Sequence, residues 1–308
     1  MNLDDVFKSG GVVLIDGSLR SAQRGEDLGR QIYGSSSYSG LNKEALSRSR
    51  ECVSKMIRAF QYPNAFTIPE VVGELADFER ILSSKLSFLR TKQQRKFEHK
   101  NEASEQELAE LQEKVFALRS IAKRKTIAIP DARYILLLDM VRTLDKAIEL
   151  KKVGWRDTKY QKEIRDSNTD ESLVATLYYQ AMFSGESASL LSADTDFIRL
   201  LGVTPRLMGS SVFHPYNQAF RSANPWRLYH CENGEIKDSV RSVDLSPSIE
   251  FKIFNRSDEE NEEVFRDIML DWQLFYHLGV SKKYNHQARG ISQIQAVSCV
   301  VPDASCVV

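Results

Sequence analysis

Asp166-Ser-Asn-Thr-Asp-Glu-Ser-Leu-Val-Ala-Thr-Leu-Tyr-Tyr-Gln and the nearby Ser187-Ala-Ser-Leu-Leu-Ser-Ala-Asp-Thr-Asp-Phe-Ile-Arg-Leu-Leu are the two segments that say most about the architecture. The first predicts a helix that begins at an acid, and Gly185 then makes a turn. The second predicts a buried strand that ends in two more acids. A helix and a strand would thus bring carboxylates to one edge of a sheet.

These acids have two possible roles. Carboxylates crowded in one place repel each other unless a cation lies between them, and Mg²⁺ and Mn²⁺ prefer such oxygen ligands. The alternative is local. Asp170 would be a favourable charge in the first helical turn, with Asn168 or Thr169 as N-cap, and Asp194 and Asp196 would begin the next helix.

The N-terminal part of the sequence adds two more acids to this predicted edge. Gly10-Gly-Val-Val-Leu-Ile-Asp-Gly-Ser-Leu is typical of a buried parallel strand with Asp16 at its carboxyl end, where open α/β sheets bind ligands. Ala65-Phe-Thr-Ile-Pro predicts a second strand followed by a proline-led helix. Glu70 and Glu74 lie four residues apart on that helix and share one face. For Glu74, plain solvent exposure is the alternative.

Residues 83–125 are highly charged and lack glycine and proline, which predicts an inserted antiparallel helical arm. Ser104 and Glu107 form a capping box for its second helix. One narrow apolar stripe follows the helical period: Leu108, Leu111, Val115 and Leu118. Arg95 and Lys96 are candidates for contact with substrate phosphates, although such charge runs are more often a solvated face.

The rest of the chain divides into a helix and an extension. A helix is predicted from Asp131 to about residue 151. Residues 206–280 predict an α+β extension with a β-hairpin over 226–240, turning at Asn233-Gly234, a strand from Ser248 and a last helix. Residues 281–308 are expected to be a flexible tail.

Composition sets the outer limits. With 308 residues, 42% of them hydrophobic and 27% charged, the chain can bury one substantial core plus an appendage. Four scattered cysteines indicate neither a disulfide framework nor a zinc site. The equal counts of 42 basic and 42 acidic residues argue against general coating of nucleic acid. No membrane span or signal peptide is evident, so we expect a cytoplasmic location and no membrane partner.

Four segments resemble the motifs of the PIN domain, a metal-dependent nuclease fold related to the 5′-flap nucleases. The resemblance covers about residues 10–203, apart from the arm, and assigns 1–82 and 126–205 to the PIN-like domain. The four segments are Val12-Val-Leu-Ile-Asp-Gly-Ser-Leu, Ile68-Pro-Glu-Val-Val-Gly-Glu-Leu, Asp170-Glu-Ser-Leu-Val-Ala-Thr and Ser192-Ala-Asp-Thr-Asp-Phe. Gly17 departs from the pattern, since a threonine or serine usually follows the first aspartate, and Ser18 is then the nearest hydroxyl for substrate.

The resemblance implies a fold and a chemistry. The fold would belong to the α/β class. It would have a PIN-like open sheet that is mostly parallel and is flanked by helices. Mg²⁺ or Mn²⁺ would activate a water that hydrolyses RNA, leaving a 5′-phosphate and a 3′-hydroxyl. The resemblance implies four catalytic acids: Asp16, Glu74, Asp170 and Asp194. Asp16, Asp170 and Asp194 would bind the metal directly, whereas Glu74 and Asp196 would either bind it or contact it through water.

Other functions stay open at this point. A PIN-like fold without catalysis could use its arm and C-terminal region to assemble a complex or a homo-oligomer. Single-stranded or flap DNA is an alternative substrate to RNA. The same nuclease chemistry would also suit a toxin or defence effector that an inhibitory protein partner neutralises.

Overall fold

The computed structural model describes residues 2–8, 10–20, 43–93, 105–151, 168–194, 197, 200–201, 214–231 and 241–243. Within them the helices are α1 (Leu3–Lys8), α2 (Lys43–Ala59), α3 (Pro69–Gln93), α4 (Glu105–Arg124), α5 (Ala132–Lys151), α6 (Thr169–Phe183) and α7 (His214–Arg221). The strands are β1 (Val12–Ile15), β2 (Ala65–Phe66), β3 (Ala188–Ser192), β4 (Trp226–His230) and β5 (Arg241–Val243). A short 3-10 helix, Gly17–Arg20, follows β1.

The five strands form one sheet in the order β2-β1-β3-β4-β5. The first four are parallel, and β5 is antiparallel to β4. In the centre of the sheet, Leu14 pairs with Phe66 on one side and with Leu190 on the other. The predicted α/β class is therefore confirmed, with a parallel four-strand core and mostly helical content around it.

Helix α6 packs on the sheet, and nine of its 15 residues are buried. Its inward residues include Leu173, Val174, Leu177 and Tyr178, each with no exposed surface. A helix that is apolar on most of its circumference belongs in the core of an α/β domain. The strands beneath it, β1 and β3, are buried along their full length, as expected for parallel strands covered on both faces.

Helices α3 and α4 pack against each other in antiparallel orientation. Arg90 Nε pairs with Glu105 Oε1 at 2.6 Å near one end, and Arg119 Nη1 pairs with Glu79 Oε2 at 3.1 Å near the other. The predicted apolar stripe of α4 is buried in the same core cluster as the sheet. Helix α4 also packs on α2, where Arg50 Nη1 lies 2.5 Å from Glu110 Oε2.

The outer edge of β2 is covered by the chain that leaves α4. Thr67 N donates to the carbonyl of Lys125 at 3.0 Å, and Ile127 N donates to the carbonyl of Thr67 at 2.8 Å. These two bonds give a parallel bridge between Thr67 and Thr126. They satisfy backbone groups that an open sheet edge would expose.

The predicted hairpin over 226–240 needs a correction. Strand β4 does pair with an antiparallel neighbour, but that neighbour is β5, in which Val243 lies opposite Leu228. A two-residue turn at Asn233-Gly234 would place residue 239 opposite Leu228, so the observed register differs from the predicted one; residues 232–240 lie outside the described part of the chain.

Several predicted features lie outside the described residues. These are the capping residue Ser104, the turn at 233–234, the strand from residue 248, the last helix and the tail at 281–308. Among the helices that are described, none combines the length and the apolar character needed to cross a membrane.

Candidate functional site

Asp16 lies at the centre of the candidate site, directly after β1. Its side chain is only 3% exposed. Its backbone N–H donates to the carbonyl of Leu191 at 3.0 Å, which extends the ladder between β1 and β3 by one residue. The carboxyl group therefore lies at the carboxyl edge of the two central parallel strands, where open α/β sheets bind ligands.

Two serine hydroxyls orient the Asp16 carboxylate. Ser192 Oγ donates to Asp16 Oδ2 at 2.6 Å, and Ser18 Oγ donates to the same oxygen. Each hydroxyl also accepts a backbone N–H: Ser192 accepts that of Asp194 at 2.9 Å, and Ser18 accepts that of Ala193 at 3.2 Å. The turn after β3 and the 3-10 helix after β1 are thus tied to one carboxylate oxygen.

The electrostatics of Asp16 reveal which other acids are near. Burial raises the pKa of Asp16 to about 6, and the hydrogen bonds from Ser18 and Ser192 act in the opposite direction. The negative charges of Glu74 and Asp194 raise the pKa further. Both of those carboxylates therefore lie within electrostatic reach of Asp16.

Glu74 and Asp194 reach this edge from different elements. Glu74 lies in the second turn of α3, the helix that follows β2, and is half-buried. Asp194 is the second residue after β3 and is also half-buried. Asp16, Glu74 and Asp194 therefore lie in segments that follow the carboxyl ends of the neighbouring strands β1, β2 and β3.

Asp170 occupies the second position of α6 and is half-buried. Helix α6 packs on both β1 and α3, the elements that precede Asp16 and carry Glu74. The expected N-cap Asn168 adopts a left-handed conformation, with φ of 45° and ψ of 27°, and its side chain makes no capping hydrogen bond. Asn168 is therefore not a side-chain N-cap, but Asp170 does lie in the first turn of α6, where a negative charge is favourable, so the local alternative for this acid stays open.

A preformed metal site is not seen in the part of the chain that the structure describes. No three side chains of the His, Cys, Asp or Glu type form a group there that could hold a metal ion. The donor chemistry would nevertheless suit Mg²⁺ or Mn²⁺, because Asp16, Glu74 and Asp194 all offer carboxylate oxygen. Cations of this kind favour the ionised form of such carboxylates.

The remaining predicted site residues fall into two groups. Ser18, predicted to contact substrate, uses its hydroxyl to hold Asp16. Asp196, Arg95 and Lys96 lie outside the described residues, so their proposed roles stay predictions.

Ser192 is the site residue that the pattern of acids did not reveal. It is fully buried, and the β3–β4 register pairs it with His230, which is also buried. The available signal was its position, because a hydroxyl residue at the end of β3 is a neighbour of the residue that follows β1. Cys231 N donates to the Ser192 carbonyl at 2.8 Å, so β4 joins the same edge.

Comparison of the chain with family models, curated proteins and solved structures finds no match. The resemblance to PIN domains therefore rests on the four sequence segments alone.

Proposed function

We propose that this chain is a divalent-metal-dependent endonuclease that hydrolyses phosphodiester bonds at the carboxyl edge of β1 and β3. The observation that carries the proposal is the buried Asp16 carboxyl, whose pKa is raised to about 6 chiefly by burial, with added contributions from Glu74 and Asp194. Burying one acid beside two others opposes its ionisation, and such arrangements occur preferentially at functional sites.

A bound divalent cation would offset this electrostatic cost. Asp16, Glu74 and Asp194 are the residues proposed to hold Mg²⁺ or Mn²⁺, with Asp170 and Asp196 as further ligands. When bound, the metal would lower the pKa of a water and stabilise charge on the leaving oxygen.

The chain's own part is to keep the central carboxylate in one orientation. The hydroxyl groups of Ser18 and Ser192 each donate a hydrogen bond to Asp16 Oδ2. Each hydroxyl oxygen in turn accepts a hydrogen bond from a backbone N–H group. Ligands oriented in this way need little reorganisation when substrate binds.

RNA is the proposed substrate because the PIN domains that the four segments resemble are mostly ribonucleases. Single-stranded or flap DNA is the alternative. A toxin or defence effector is the biological role that we would test first, by expression in a host and recovery of growth with Asp16→Asn.

The direct test is cleavage of an end-labelled single-stranded RNA by the purified full chain with Mn²⁺, Mg²⁺ or EDTA. We expect cutting only with metal, and a loss of about 100-fold in rate for Asp16→Asn and for Asp194→Asn. A parallel series on single-stranded DNA decides the substrate class.

Asp77→Asn is a matched control. Asp77 lies on the same helix as Glu74 but is exposed and pairs with Arg80 at 3.0 Å. The Asp77→Asn variant should cleave the RNA at the same rate as the parent. A parent that binds no Mn²⁺ and cuts neither RNA nor DNA would disprove the proposal, as would cleavage at an equal rate in EDTA.

A second candidate is a non-catalytic PIN-like module that assembles a complex with a protein partner. Two observations favour it. The described acids do not make a closed group of metal ligands, and Gly17 follows Asp16 where a hydroxyl residue is usual in the family. Absence of Mn²⁺ binding together with a stable complex in a pull-down would support this candidate instead.

A further inference from the structure

One hydrogen bond connects the first turns of α3 and α6. Ser172 Oγ donates to Glu70 Oε1 at 3.0 Å. Ser172 has no exposed surface, whereas Glu70 is half-buried in the first turn of α3. The sequence places both residues beside predicted ligands, because Ser172 follows Asp170 by two residues and Glu70 precedes Glu74 by one helical turn.

The bond is part of a polar cluster between three helices. Thr176 Oγ1 donates to the carbonyl of Ser172 at 2.7 Å and lies 3.5 Å from the hydroxyl of Tyr134 on α5. Burial raises the pKa of Tyr134, and the charge of Glu70 raises it further. Glu70 is therefore close to α5 as well as to α6.

The Glu70 carboxylate is favoured by its place in the first turn of α3, but it lies close in sequence to a second acid on the same helix. Glu70 and Glu74 lie at an i,i+4 spacing on one helix face, where like charges destabilise the helix. Glu74 is already near the buried Asp16, so the charge on Glu70 adds to a crowded negative region. The hydrogen bond itself needs only an acceptor oxygen at position 70, which either a carboxylate or an amide supplies.

We infer that Glu70 and Ser172 are positioning residues that set the start of α6, and with it Asp170, relative to Glu74 and Asp16. The inference rests on the proposed function and deepens it, since it names what brings Asp170 to the metal. In this role Glu70 acts through Ser172 and does not itself touch the metal.

The test compares Mn²⁺ affinity by calorimetry in the full chain and its variants. Ser172→Ala removes the donor, so affinity should fall by about 10-fold, as for other residues that orient metal ligands. Glu70→Gln keeps an acceptor oxygen for Ser172 and should bind Mn²⁺ as the parent does. Glu70→Ala removes the acceptor of the same hydrogen bond and should lower Mn²⁺ affinity as much as Ser172→Ala does. Because Glu70 is only half-buried, this variant still tests the inference if Ser172→Ala unfolds the protein.

Ser83→Ala is the matched control. Ser83 Oγ, also on α3, accepts a hydrogen bond from Gln112 Nε2 of α4 at 2.6 Å, so the variant breaks an interhelical bond of the same kind away from the site. It should leave Mn²⁺ affinity unchanged. Thermal unfolding of each variant separates a loss of stability from a loss of affinity.

A second background shows whether the effect passes through Asp170. In Asp170→Asn, adding Ser172→Ala should cause no further loss of affinity, because the ligand being positioned is already gone. An equal loss in both backgrounds would overturn the inference, and so would parent-like binding by Ser172→Ala and Glu70→Ala. If Glu70→Gln binds as weakly as Glu70→Ala, Glu70 is a ligand and not a positioning residue.

These outcomes are distinct from failure of the proposed function. A parent that binds no Mn²⁺ would overturn both proposals together. A parent that binds Mn²⁺ and cuts RNA, with variants that bind equally well, would overturn only the positioning role.

Discussion

Ser192 Oγ lies 2.6 Å from Asp16 Oδ2 and donates a hydrogen bond to it between the ends of β3 and β1. Ser192 Oγ also accepts the backbone N–H of Asp194 at 2.9 Å. One buried hydroxyl therefore connects two acids that are 178 residues apart in the sequence. Removing the Ser192 hydroxyl should therefore change the pKa of Asp16 as well as the stability of the fold.

Replacing Ser192 with alanine should raise the pKa of Asp16 and lower the free energy of unfolding by about 1–3 kcal/mol. The direction follows because the Ser192 hydrogen bond favours the ionised carboxylate. NMR titration of the Asp16 carboxyl and urea unfolding at pH 7 measure the two effects. Ser189→Ala, on the same strand, should leave the Asp16 pKa at about 6. An unshifted pKa in Ser192→Ala would show that the bond is not formed in solution.

Much of the architecture was predictable because its signals are local. The apolar runs that became β1 and β3 end in acids, and the helix that begins at Pro69 has its proline in the first turn. Parallel strands must place their carboxyl ends at one edge, so gathering Asp16 and Asp194 required only the order of the strands.

What could not be predicted depends on three-dimensional distances. No local pattern indicates that Ser192 points at Asp16, or that Ser172 reaches Glu70 across 102 residues. The pairing of His230 with Arg241 also differs from the register that a two-residue turn at Asn233-Gly234 predicts, and no local pattern indicates it. Helix α1 has only six residues, too few for a periodic pattern.

The raised pKa of Asp16 makes stability depend on pH in a defined direction. Its ordinary value is 3.8, and in the folded protein the pKa is about 6. Between these values the folded state binds more protons than the unfolded state, so stability decreases as pH rises. The contribution of Asp16 to stability should therefore fall by about 2 kcal/mol between pH 4 and pH 7.

Urea unfolding in EDTA at several pH values between 4 and 7 measures this loss. The Asp16→Asn variant has no titrating group at this position, so its stability should fall by about 2 kcal/mol less than that of the parent over the same range. Adding Mn²⁺ at pH 7 should stabilise the parent more than the variant, since a ligand that binds only the folded state raises its stability. Identical pH profiles for parent and variant would contradict the raised pKa.

Helix α4 should unfold together with the sheet. Leu111 is fully buried, whereas Phe116 on the same helix is 54% exposed. Leu111→Ala should therefore cost about 3 kcal/mol, and Phe116→Ala less than about 1 kcal/mol. Circular dichroism of helices and tryptophan fluorescence should report a single transition for both variants. Separate transitions would show that the helix pair is an independent unit.

Gly10 and Gly11 offer the sharpest test of the packing between β1 and β3. Both have positive φ, 78° and 75°, so alanine at either position is strained by about 1 kcal/mol. They differ in their surroundings, because a Cβ on Gly10 meets nothing within 4 Å, whereas one on Gly11 would lie 2.2 Å from the carbonyl oxygen of Ser187. That carbonyl accepts the backbone N–H of Val12 at 2.9 Å, so it cannot move away without breaking the start of the ladder.

Gly11→Ala should thus destabilise the protein by about 2 kcal/mol more than Gly10→Ala, since overpacking adds to the same backbone strain. Urea unfolding of the two variants under one set of conditions gives the difference directly. Because both variants carry the same backbone strain, the difference between their free energies of unfolding measures the steric conflict with Ser187. Equal losses of stability would mean that the strands approach each other less closely than the structure describes, and the ladder that carries Asp16 would then have to be drawn differently.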